Sequence, residues 1–165
     1  MERKTNGAGG VVRVRVPATS ANLGPGFDSL GIALTMYNEL ELELYREEKF
    51  DIESFGEGAE MLPTDGTNMI WGAVRRLLSR IGQADEYRGM KLRMYSRIPV
   101  SRGLGSSAAA IVGGLRAANE WLGRPLGKKE LLGIATELEG HPDNVAPAVY
   151  GGFSVSVTYG GGPES

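Results

Sequence analysis

Leucine and glutamate alternate from Asn38 to Tyr45 (NELELELY), the period of a strand with one buried and one wet face. The same period runs through Val11–Val16 (VVRVRV), Gly89–Tyr95 (GMKLRMY) and Phe153–Val157 (FSVSV), and each predicts a strand. Pro17 is expected to end the first of these. Ala18–Asp28 (ATSANLGPGFD) reads as a loop from its Ser, Asn, Gly and Pro content. Apolar segments at Ser29–Met36 and Phe50–Ser54 predict two further strands, the second at a sheet edge, with loop over Gly56–Gly66. Helical spacing appears in Asn68–Ile81, where Ile70, Val74, Leu77, Leu78 and Ile81 share a face and Thr67 is a candidate N-cap. It returns in Ser107–Leu122 and in Lys128–Glu139, whose apolar positions are Leu131, Leu132, Ile134, Ala135 and Leu138. Gly140–Asn144 breaks that helix, and Val145–Tyr150 adds one helical turn.

Strands come first and helices mixed with strands follow, which predicts an α+β fold rather than a doubly wound parallel sheet. The 165 residues allow one domain, or one domain and a piece of a second. The expected division is a disordered leader over 1–10 and a folded domain over 11–165. Met1–Gly10 carries charge with no apolar stretch behind it, unlike a signal peptide. No 18-residue apolar run predicts a membrane-spanning helix. A net charge of −2 gives no basic field for nucleic acid. Cysteine is absent, which removes disulfide and thiolate chemistry and fits a reducing, cytoplasmic setting.

The run PVSRGLGSSAAA from Pro99 to Ala110 carries the candidate chemistry. Gly103 and Gly105 permit close backbone approach and dihedrals closed to other residues. Ser106 and Ser107 stand where an N-cap is expected. Free N–H groups at such a helix start, with the helix dipole behind them, favour a phosphate. A Walker A reading fails because Gly127-Lys128 is followed by Lys129 rather than Ser or Thr. Gly103, Gly105 and Ala108 satisfy the string of a dinucleotide fingerprint, yet a helix rather than a strand follows.

Pro99-x-x-x-Gly103-Leu104-Gly105-Ser106-Ser107-Ala108-Ala109 resembles the ATP-binding motif of the GHMP kinases. Pro17–Gly31 (PATSANLGPGFDSLG) and Gly140–Gly152 (GHPDNVAPAVYGG) resemble further motifs of the homoserine kinases in that superfamily. The resemblance implies a ribosomal-protein-S5-domain-2-like N-terminal domain with a left-handed βαβ crossover, an exception to the usual handedness. Nothing in the chain resembles the family's C-terminal domain, which is expected to be absent. The implied activity is ATP-dependent phosphorylation of the hydroxyl of L-homoserine, a step of threonine biosynthesis. The alternatives are another small-molecule kinase of the superfamily, such as a mevalonate-type enzyme, or an inactive nucleotide- or RNA-binding relative. Expected partners are a small-molecule substrate and ATP with Mg2+, without nucleic acid or membrane; the family is often homodimeric.

The same resemblance assigns candidate roles. Pro99, Val100, Ser101, Arg102, Gly103, Leu104, Gly105, Ser106, Ser107, Ala108 and Ala109 would bind ATP. Ser107, or Ser106 in second place, would ligate magnesium with Glu139, Glu137 being the alternative carboxylate. Read without the family, Ser107 is a helix cap and Glu139 a solvated charge. Asn68 resembles an adenine contact, and equally suits a helix terminus that satisfies orphan amides. Asn22, Asp28, His141 and Asn144 resemble substrate contacts, Asp28 pairing an ammonium; as a bare residue it suits a turn. Asp143 aligns with the catalytic aspartate of mevalonate kinase and galactokinase, although a loose phosphoryl-transfer transition state needs no strong base.

Overall fold

The computed structural model describes residues 10–21 and 29–156. Strands β1 (Val12–Ala21), β2 (Leu30–Tyr45) and β3 (Phe50–Gly56) come first, followed by a short 3-10 turn at Ala59–Met61 and helix α1 (Met69–Arg80). Strand β4 (Gly89–Ser96), helices α2 (Ser106–Trp121), α3 (Lys128–Glu139) and α4 (Val145–Tyr150), and strand β5 (Phe153–Val155) complete the order. The sheet runs β1-β2-β4-β3, with β5 beside the start of β2. The β3–β4 pair is parallel, joined through α1, and the other pairs are antiparallel. Among the described residues no helix is long and apolar enough to cross a membrane.

The period-two alternation sets the two faces of this sheet. Val14, Val16, Leu40, Leu42, Leu44, Ile52, Met90, Leu92 and Met94 are buried. The intervening positions carry charge, and the register places opposite signs across strands: Arg13 faces Glu41, Arg15 faces Glu39 and Glu53 faces Arg93. Arg13 and Glu41 form an ion pair, and Arg93 Nε reaches Glu53 Oε2 at 2.5 Å. A one-residue slip would bury this charged row and expose the leucines, so one register is strongly preferred.

Helix α2 is the centre of the layer behind the sheet. It packs on β1, β2, α1, α3 and α4. Close packing follows from its small residues: a Cβ added at Gly113 would stand 2.7 Å from Leu40 Cδ1, and one at Gly114 2.7 Å from Ile70 Cγ2.

Several boundaries differ from expectation. Pro17 does not end β1, which continues to Ala21 through a register shift between Pro17 and Thr19. Proline is tolerated there because β1 is an edge strand and the position adjoins an irregularity. Thus Ala18, Thr19, Ser20 and Ala21 are strand, not loop. Ser29–Met36 and Asn38–Tyr45 are parts of one long strand, β2. The break in alternation at Thr35–Tyr37 faces the β1 irregularity rather than a turn. Thr67 is not the cap of α1; Asn68 is, its Oδ1 accepting from Ile70 N at 2.9 Å, while Thr67 bonds to Asp65. The leader over 1–9, the loop residues 22–28 and Val157 lie outside the described residues.

Candidate active site

The loop between β4 and α2 is anchored at its root and turned by left-handed residues along its length. Asn38, fully buried on β2, accepts from Arg97 N at 2.8 Å and Ile98 N at 3.1 Å through Oδ1. Ser101, Gly103 and Gly105 then take φ of 59°, 68° and 64°. Gly105 occupies the cap position of α2, and Ser106 and Ser107 are its first two helical residues. The serines are therefore not caps. Among the described residues no side chain caps this helix, so its leading N–H groups lack intrahelical partners and are offered to a ligand.

These N–H groups border a cleft of about 420 Å3. Residues 99–107 line it continuously, and Met61, Leu62, Met69 and Met94 supply an apolar wall. Arg102 is an exposed cation on the loop. Ala108 and Ala109 are fully buried and Ala109 N already donates to Gly105 O at 2.8 Å, so neither faces the cleft, whose continuous lining by the loop runs up to Ser107. The combination suits a molecule with a flat apolar part and an anionic tail.

Ser107 and Glu139 meet across the start of α2 and the end of α3, Ser107 Oγ donating to Glu139 Oε2 at 3.0 Å. Glu137 is held elsewhere, at 2.8 Å from Arg76 Nη2 and 3.1 Å from Arg80 Nη2. The hydrogen bond from Arg76, aided by the charges of both arginines, keeps the Glu137 carboxyl below the usual carboxylate range. Of the two candidate carboxylates, Glu139 is thus the one beside the loop. A hydroxyl and one carboxylate fit the hard-oxygen preference of Mg2+, whose remaining positions are commonly filled by phosphate and water. Among the described residues no cluster of three or more His, Cys, Asp or Glu side chains forms a site made wholly from protein.

Gly140, at φ 92°, ends α3 and opens the segment leading into α4. Asp143 is 1% exposed. Its Oδ1 lies 2.5 Å from His141 Nδ1 and accepts from Asn144 N at 2.8 Å. Its Oδ2 is buried without a hydrogen-bond partner among the described residues, an unusual state for a carboxylate oxygen. Asn144 is tied to β1: Thr19 Oγ1 donates to Asn144 Oδ1 at 2.8 Å. The backbone N–H of Thr19 donates to Leu104 O at 3.1 Å. The carbonyl of Asp143 packs against Gly31, where a Cβ would come within 1.9 Å of it.

The structure therefore brings Ser107 and Glu139 together, and links His141, Asp143 and Asn144 to the glycine loop through Thr19. Asn68 is different: it is 1% exposed, with Oδ1 capping α1 and Nδ2 donating to Pro63 O at 2.6 Å. Of its two sequence readings, this is the geometry of the helix terminus. Asn22 and Asp28 lie outside the described residues. Sequence reasoning missed Thr19 and Asn38. Thr19 sits in a run that reads as loop and Asn38 in one that reads as strand, and their partners are 125 and about 60 positions away, so no local pattern marks them.

The family model described as GHMP kinases N terminal domain matches residues 68–152. The chain is 56% identical over 146 residues to a homoserine kinase of Carboxydothermus hydrogenoformans, covering 88% of this chain and 47% of that one. It is 50% identical over 148 residues to a homoserine kinase of Desulfitobacterium hafniense, with coverage of 90% and 48%. The chain spans about half the length of these curated relatives. Among solved structures it is similar to a homoserine kinase from Cytophaga hutchinsonii, with TM-score 0.78, 34% identity and coverage of 92% and 50%. The mevalonate kinase of Methanococcus jannaschii shares the fold at TM-score 0.68 and 17% identity, covering 88% of this chain and 53% of that one.

Proposed function

The chain belongs to the GHMP kinases, and on that premise we propose that it is the nucleotide-binding part of a homoserine kinase. The reaction transfers the γ-phosphoryl group of ATP to the hydroxyl of L-homoserine, giving ADP and O-phospho-L-homoserine. Such a step serves threonine biosynthesis in the cytoplasm. The observation that carries the reading is the uncapped start of α2, reached through left-handed Gly105 and opening on a cleft with an apolar wall.

In this mechanism the backbone amides at the start of α2 hold the triphosphate, Arg102 adds charge, and Met61, Met69 and Leu62 flank the base. Phosphoryl transfer depends mainly on positioning and on stabilising charge. Ser107 and Glu139 would hold Mg2+, which when bound neutralises charge on the β- and γ-phosphates. His141 and Asn144 would orient the amino alcohol, together with Asn22 and Asp28, the latter pairing the ammonium. The hydroxyl oxygen bonds to the γ-phosphorus as the bond to the bridging oxygen of ADP breaks. The hydroxyl proton leaves with little need for a strong base, and the Asp143 carboxylate, its side chain covered in this structure, would have to be uncovered to receive it.

Titration calorimetry with ATP, with and without magnesium, tests the reading. Saturable magnesium-dependent binding is expected, weakened at least tenfold in Ser107→Ala. Absence of ATP binding by the unaltered chain would overturn it. ADP release stimulated by L-homoserine and not by mevalonate is the expected substrate preference.

A further inference from the structure

We propose that Thr19 is a positioning residue which fixes the amide of Asn144 and the phosphate-binding loop in one mutual arrangement. Thr19 is fully buried next to the irregularity of β1. Its two polar groups serve different segments. The backbone N–H holds Leu104 O of the loop at 3.1 Å, and the hydroxyl holds Asn144 Oδ1 at 2.8 Å. Gly105 completes the joint: its missing Cβ would stand 2.0 Å from Thr19 Oγ1 and 3.1 Å from Asn144 Oδ1. Glycine at 105 thus provides the space for the hydroxyl–amide bond as well as the φ of the turn.

The chemical consequence concerns what Asn144 can offer. With its Oδ1 engaged by the buried hydroxyl, Asn144 has its Nδ2 hydrogens left for a ligand. Asn144 is then set to donate to an oxygen acceptor rather than to receive an ammonium. Thr19 touches neither reactant in this arrangement. It acts through Asn144 and Leu104, placing donors on both sides of the reacting groups, and such placement governs rate through geometry.

This inference rests on the kinase reading for its functional consequence, and the experiment separates the two. Thr19→Val keeps the side-chain shape and removes the hydroxyl; Thr19→Ser keeps the hydroxyl and removes the methyl. In the 165-residue chain, the Asn144 side-chain amide signal is followed by 1H–15N NMR and Mg–ATP affinity by calorimetry, with urea unfolding as the check on folding. Thr19→Val is expected to move the Asn144 signal while, with the backbone N–H to Leu104 O retained, Mg–ATP affinity stays within twofold. Thr19→Ser should keep the signal in place and the affinity within twofold. An Asn144 signal unmoved by Thr19→Val would overturn the proposal, as would equal effects of the two substitutions on that signal. Should Mg–ATP fail to bind the unaltered chain, the kinase reading falls, while the Asn144 signal still decides the role of Thr19.

Discussion

Replacing Gly105 by alanine tests the joint between the loop and the strand in energetic terms. Two penalties add at this position. The left-handed φ of 64° costs a non-glycine residue ~1–2 kcal/mol. The new Cβ would also stand 2.0 Å from Thr19 Oγ1, and forcing a methyl into packed surroundings costs ~1–3 kcal/mol. The expected loss is therefore ~2–5 kcal/mol, a large part of the ~5–15 kcal/mol of a typical domain. Gly103 is the internal control: its φ is 68°, but among the described residues an added Cβ meets nothing within 4 Å, so Gly103→Ala should show the conformational penalty alone, ~1–2 kcal/mol. Urea denaturation followed by circular dichroism measures both, with comparable slopes required before midpoints are compared. Thr19→Ala supplies the second mutation of a cycle. In that background the loss from Gly105→Ala should shrink toward that of Gly103→Ala. Equal losses at the two glycines, or strict additivity of Gly105→Ala with Thr19→Ala, would refute the steric argument.

Leu40→Ala should destabilise by ~2–5 kcal/mol in the same assay, because the side chain is fully buried; the double variant with Gly113→Ala should recover part of that loss, since the added methyl points at the vacated Leu40 position. The arginine-held carboxyl of Glu137 ionises more readily in the folded chain than in the unfolded one. Its contribution is thus present above the unfolded pKa and lost as pH falls through the lower folded value. The pair is solvent-exposed, so the effect is under ~1 kcal/mol, and Glu137→Gln should flatten only the lowest-pH part of a stability-against-pH curve, with 1 M salt reducing the difference.

Local periodicity made much of the sheet readable. The Leu–Glu alternation of 38–45 specifies both the strand and its buried face, because a strand's side-chain period is fixed by geometry. The failures have a common physical source. Pro17 reads as a terminator only if its strand has neighbours on both sides, and the edge position of β1 is a property of topology. The cap of α1 passed from Thr67 to Asn68 because Asp65 engages the threonine. The cap position of α2 went to Gly105 instead of a serine because the loop arrives in a left-handed conformation. In the site, the glycine loop was legible from its own composition. That Arg76 and Arg80 hold Glu137 away from the loop is not legible from the sequence, because both arginines stand on another helix. Thr19 and Asn38 could not be singled out, since their roles exist only after distant segments have met.

The contact of Gly113 with Leu40 and of Gly114 with Ile70 has a bearing on ligand response. With backbone pressed directly onto branched side chains on two sides, a piston stroke or axial rotation of α2 would have to displace Leu40 and Ile70. On the proposed reading, a nucleotide arriving at its tip would therefore meet a fixed post, with accommodation falling to the torsions of residues 99–104.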